Sequence, residues 1–117
     1  MKSGKIWGET NLVFSNNNVQ INQIHVKKGG RCSKHMHNHK NNIFFIQSGE
    51  LLIEQWTKEG FVDSTILKTE DKMEISSQVF HRFTALADTM ALEIYYQDIE
   101  NDDIIREDIG SMISFEK

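Results

Sequence analysis

Histidines at alternate positions are the first chemical signal in this chain. His35, His37 and His39 are each separated by one residue, and His81 lies far along the sequence in another strand-like run. Alternate side chains of an extended strand share a face, so His35 and His37 can aim their imidazoles at one point. Neutral imidazole is the commonest side-chain ligand for a metal. A local pair joined by one remote histidine is the donor set that a metal inside a rolled-up sheet requires.

The elements that would position these residues read as strands throughout. Val19 and Ile21, then Ile24 and Val26, alternate in two phases, which predicts two short strands or a bulge between them. Ile43–Ile46 is a short apolar run suited to a buried strand, and Ser48-Gly49 reads as a tight turn. Further strands are expected at Leu51–Trp56, Phe61–Leu67, Lys72–Ile75, Phe80–Leu86 and Met90–Tyr96, with a turn at Lys58-Glu59-Gly60. Many short strands with no long helical period predict an all-β sandwich or barrel. Asp102–Glu107 is the one stretch read as a helical turn. Proline is absent, so Asn, Asp and Gly must fix the turns.

The chain has 117 residues, 38% hydrophobic and 26% charged, as expected of one soluble globular domain, 1–117, with its core at about 19–97. No apolar run is long enough to span a bilayer, and none near the start has signal-peptide length, so a cytoplasmic protein is expected. Cys32 is the only cysteine, which excludes an intrachain disulfide and a thiolate cluster. It reads as a small packing residue. The net charge of −4 argues against nucleic acid as a partner. Lys27, Lys28, Arg31, Lys34 and Lys40 cluster around the histidines, while Asp98, Glu100, Asp102, Asp103, Glu107 and Asp108 cluster near the end. Both groups read first as solvated surface. The sharper reading is that the basic group draws an anionic ligand toward the metal.

The spacing of these residues resembles the cupin superfamily from about Val19 to Tyr96. The first cupin motif runs glycine, five residues, His-x-His, three or four residues, glutamate, six residues, glycine. Here Gly29, His35, His37, Asn42 and Gly49 hold those places, with asparagine where the motif has glutamate. In the second motif Ser76 and Gln78 replace a proline and a glycine, and His81 keeps the histidine. Within cupins the chain looks most like the C-terminal domain of type II mannose-6-phosphate isomerases. Asn42 to Gly49, Val79-Phe80-His81-Arg82-Phe83 and the tail Asp102 to Gly110 carry that likeness.

The resemblance implies a double-stranded β-helix, or jelly-roll, barrel with a short C-terminal tail, and a homodimer. It also implies a divalent metal ion (Zn, Mn, Fe, Ni or Co) on His35, His37, His81 and the Asn42 position. An amide oxygen is neutral and a poorer donor than carboxylate, so weaker binding and a more Lewis-acidic ion are expected. His39 continues the alternation and is an alternative ligand, although the family pattern turns the chain before it and puts it at the rim. Arg82, Arg106, Lys34, Lys40 and His39 are candidates to bind an anionic or sugar-like small molecule. Phe44, Phe45, Phe80 and Phe83 are expected to line the barrel, and His25 has no assigned role. Three functions compete: a non-catalytic module holding a metal and a small ligand, a sugar-phosphate isomerase or epimerase with His39 or Glu93 as base, and an iron-dependent dioxygenase.

Overall fold

The computed structural model describes residues 2–97 and 103–115. Asp98, Glu100 and Asp102 of the acidic group lie outside them. The described residues contain no helix, and hence none long and apolar enough to cross a membrane. They form two antiparallel sheets. One holds β1 (Lys2–Lys5), β2 (Gly8–Ser15), β3 (Val19–Val26), β6 (Asn41–Ser48), β9 (Lys72–Ile75) and β11 (Thr89–Tyr96), in the order β1-β2-β3-β11-β6-β9. The other is built around β10 (His81–Ala85). On one side β10 pairs with β7 (Glu50–Trp56), which pairs with β8 (Val62–Lys68). On the other it meets β4 (Gly30–Arg31) and β5 (His35–Met36), which pair in turn with β13 (Ser111–Met112) and β12 (Ile105–Arg106).

The core lies between the sheets. Ile24, Val26, Phe44, Ile46 and Ala91 from one face Leu51, Ile53, Phe83 and Ala85 from the other, and all are buried. Burial of these side chains is the main favourable term holding the sheets together. Trp7, in the turn before β2, closes one edge of this core, with its ring edge-on to Phe83 at 5.1 Å. Both motif glycines are required by backbone geometry. Gly29 (φ +86°) and Gly49 (φ +103°) are left-handed, and a Cβ would strike the Ile113 carbonyl at the first and the Asp88 carbonyl at the second.

Several expectations are corrected. Val19–Val26 is one unbroken strand. The irregularity lies in its partner β2, where the register slips between Leu12 and Phe14. The apparent phase change arises because the inward positions at this end are Gln20 and Asn22, polar residues that line a pocket. No helical turn forms at 103–107. Within them Ile105–Arg106 form a short strand that pairs with β5. The hairpin β1–β2, before residue 19, extends the first sheet, and β12 and β13, after residue 97, extend the second. Of the four phenylalanines, Phe44 and Phe83 are in the core. Phe45 falls on the half-buried outer face, and Phe80 sits 5.5 Å from the Lys34 ammonium.

Candidate metal centre

His35 and His81 are direct cross-strand partners on β5 and β10. His37 follows two residues after His35. Their ligand atoms lie within 4.8 Å of one another, and all three residues are buried. The ring centroids are 4.4 Å apart for His35–His81, 5.1 Å for His35–His37 and 5.7 Å for His37–His81.

Each ring is held in one tautomer by a backbone carbonyl. Nδ1 of His35 donates to the carbonyl of Ser33 at 2.7 Å, Nδ1 of His37 to that of Asp103 at 2.6 Å, and Nδ1 of His81 to that of Val79 at 3.0 Å. A carbonyl only accepts, so the proton is on Nδ1 and the Nε2 lone pair is free. This is the outer arrangement that orients metal-ligating histidines. The Nε2 atoms of His37 and His81 have no hydrogen-bond partner, although both are buried. Burial pushes the histidine pKa values down, to about 2 for His35 and about 4 for His37 and His81. The imidazoles are therefore neutral near pH 7, as ligands must be.

Asn42 comes from β6 of the facing sheet. It is 1% exposed, and neither its Oδ1 nor its Nδ2 finds a partner. Its cross-strand partner Tyr95 packs against the His37 ring at 5.1 Å, and its same-face neighbour Phe44 lies 6.4 Å from the His81 ring. The amide is thus bracketed between residues that touch the histidines. Buried polar atoms without partners are rare and costly. A divalent cation among three imidazole lone pairs and an amide oxygen would satisfy the orphaned Nε2 atoms and the Asn42 Oδ1, so the residues fit such an ion, while the Asn42 Nδ2 calls for an acceptor.

A pocket of about 500 Å³ opens beside the imidazoles. His35, His37, Lys40, Arg106, Glu93, Tyr95 and Asn22 are on its wall, with Lys5 at its edge. Burial lowers the Lys40 pKa and raises that of Glu93. Arg106 is the backbone partner of His35. The other proposed ligand-binding side chains are not on this wall. Arg82 alternates away from His81 and binds Glu54 through Nε and one terminal nitrogen, at 3.1 and 2.9 Å. Lys34 is paired with Glu107 at 2.9 Å over the Trp56 ring. His39 is exposed, and its backbone N–H donates to Asp103. The structure does not bring it to the other histidines.

The end of the chain holds this loop in place. The Asp103 carboxylate accepts from the backbone N–H groups of Asn38, His39 and Lys40. Burial opposes its ionisation, but these three donors hold its pKa below the ordinary carboxylate range. Asp108 accepts from the Lys34 N–H. Asp103, Glu107 and Asp108 are therefore partners of the histidine-bearing segment, with Asp103 buried and Glu107 and Asp108 exposed to solvent. Tyr95, Asn22, Lys5 and Asp103 were missed by sequence reasoning. Asn22 left a trace as the polar residue where the alternation of β3 breaks, and Asp103 as a member of the acidic tail. Cys32 is buried with its Sγ accepting from the Phe83 N–H, and burial raises its pKa, which suits a packing role.

No protein-family model matches the chain, and no curated protein matches it. Solved structures do. A mutant of Bacillus subtilis oxalate decarboxylase superposes with a TM-score of 0.82 at 13% identity, covering 92% of this chain and 30% of that one. The chain has the cupin fold. Lactobacillus farciminis oxalate decarboxylase, as its formate complex, gives a TM-score of 0.79 at 14% identity, with 92% and 33% coverage. KdgF from Halomonas sp. gives 0.72 at 14% identity, covering 82% of this chain and 83% of KdgF. The chain therefore spans about a third of the length of the oxalate decarboxylases it resembles. The likeness is one of fold, and none of these named structures is a mannose-6-phosphate isomerase.

Proposed function

We propose that this cupin binds a divalent metal ion through His35, His37 and His81, with Asn42 as a neutral oxygen donor, and takes an anionic, oxygen-rich small molecule in the adjoining pocket. The observation that carries this reading is the convergence of the imidazoles within 4.8 Å, with each Nδ1 tied to a carbonyl and the His37 and His81 Nε2 atoms unpartnered.

A bound ion would supply positive charge to polarise ligand oxygens. The protein's own residues do the rest. With only neutral donors, the site leaves the ion's charge uncompensated, so it favours an anion. Arg106 lines the approach beside His35 and suits a carboxylate or phosphate by paired hydrogen bonds. Buried walls exclude water from the inner end of the pocket, which strengthens these attractions.

Elemental analysis of protein purified without a metal-affinity tag is the direct test. A stoichiometric transition metal, lost in His81→Ala, supports the reading. Tag-free protein that binds none of Zn, Mn, Fe, Ni or Co on titration sinks it.

The isomerase reading has one specific support: Glu93, not His39, is the carboxylate on the pocket wall that could act as base. Conversion of mannose 6-phosphate by the metal-loaded protein would establish it. Dioxygenase activity has no residue in its favour here, and oxygen uptake with iron-loaded protein is its test. We take residues 1–117 to be a single domain acting in the cytoplasm. We also propose a homodimer. Phe14, Ile21, Ile94 and Ile43 form a cross-strand apolar row on the outer face of the first sheet, with Phe14 51% exposed. Sedimentation equilibrium decides the oligomeric state.

A further inference from the structure

The pocket has a second polar centre, which adjoins the imidazoles through Tyr95, whose ring lies 5.1 Å from that of His37. Glu93 lies on β11, flanked by Asn22 on β3 and Phe44 on β6. It is 9% exposed, as is Asn22, and Lys40 is 7% exposed. The Tyr95 phenol and the Asn22 amide approach the carboxylate, and Lys40 contributes its charge from nearby. The Lys40 ammonium rests 4.2 Å from the centre of the Tyr95 ring. Among the described residues neither Glu93 nor Lys40 makes a direct ion pair. Both are on the wall that also carries His35 and His37.

A carboxylate and an ammonium buried this far without direct pairing cost stability. Apolar residues of similar volume would pack the same wall more cheaply. The sheet instead presents an acceptor, an amide and a cationic donor side by side. A hydroxyl group is complementary to that set, because it donates to the carboxylate and accepts from the ammonium or the amide. The imidazole side, where these rings and an amide would leave an ion's charge uncompensated, calls for an anionic oxygen.

We propose that Glu93, Asn22 and Lys40 form a hydroxyl-reading subsite, so that the pocket selects a hydroxylated carboxylate over a simple dicarboxylate or a plain polyol. The anionic oxygens lie toward His35 and His37, and the hydroxyls lie toward Glu93. This rests on the metal reading above for one end of the ligand and is independent of it at the other.

Calorimetric titration of the zinc-loaded protein with D-gluconate, oxalate and D-sorbitol tests it. Gluconate is expected to bind tighter than either other probe. Glu93→Ala should weaken gluconate about tenfold or more, the loss of a charge-assisted hydrogen bond, and Asn22→Ala about several-fold, the loss of a neutral one, both with oxalate affinity and zinc content unchanged. Tyr95→Phe, which keeps the ring against His37, guards against loss of fold and should weaken gluconate alone. Gluconate binding no tighter than oxalate, or equal losses for both probes, overturns the subsite. If the wild type takes up none of Zn, Mn, Fe, Ni or Co, the metal reading fails. Glu93-dependent gluconate binding to the ion-free protein would then keep the subsite, and its absence would remove both.

Discussion

The carbonyl oxygen of Asp103 accepts the Nδ1 proton of His37 across 66 residues of chain, at 2.6 Å. The same residue's carboxylate holds the N–H groups of 38, 39 and 40. One residue near the end of the chain therefore fixes both the tautomer of a candidate ligand and the loop that follows it. Asp103→Ala leaves a carbonyl at that position but releases the clamp. Metal affinity is expected to fall about 10- to 100-fold, the usual scale for losing a group that orients a ligand. Competition with a chelator measures it, and unchanged affinity would separate the tail from the site.

Asn42 offers a test in which stability and function move apart. Its amide has no partner and is 1% exposed. Asn42→Leu removes that penalty and should stabilise the metal-free protein by about 1–3 kcal/mol while weakening metal uptake. Asn42→Glu should do the reverse, lowering metal-free stability and binding the ion more tightly. Urea denaturation with and without metal reads both terms.

The histidines set a pH limit. Their folded pKa values lie below the unfolded value of 6.5, depressed chiefly by burial. Between about pH 6.5 and 4 the unfolded chain binds more protons than the folded one, so stability falls as pH falls through that window. Above pH 6.5 these groups contribute no slope. Thermal melts of the metal-free protein from pH 8 to 4 should show a midpoint flat at first with respect to these groups and then declining. His37→Phe should flatten the decline.

Arg82 and Arg106 should separate cleanly. Arg82 is paired with Glu54 on the outer side of β10, with side chains 19% and 17% exposed. Its replacement by alanine should cost about 1 kcal/mol and leave anion and metal binding unchanged. Arg106 is on the pocket wall beside His35, so Arg106→Ala should weaken phosphate or carboxylate binding with little loss of stability. Calorimetry on the two variants distinguishes them, and equal effects would contradict the placement.

Much of the site was legible because its signals are local. His35 and His37 alternate within one short segment, the motif glycines sit where the backbone turns left-handed, and β7 and β9 follow their apolar alternation. The face of β11 that turns inward was not legible. Met90, Leu92, Ile94 and Tyr96 are the more apolar set, yet Ala91, Glu93 and Tyr95 are buried. A small residue packs the core there and polar residues line a pocket, an arrangement that hydrophobicity alone reads backwards.

The amino-acid order by itself determined that two imidazoles share a strand face, that a third lies remote, and that the chain folds as strands. Alternation and left-handed glycines are properties of neighbouring residues. Only the tertiary structure decided that His81 stands opposite His35, that Arg106 faces the pocket while Arg82 does not, and that the acidic tail locks the histidine loop. Those relations depend on which distant strands pair and in what register, and a one-residue slip would reverse every face.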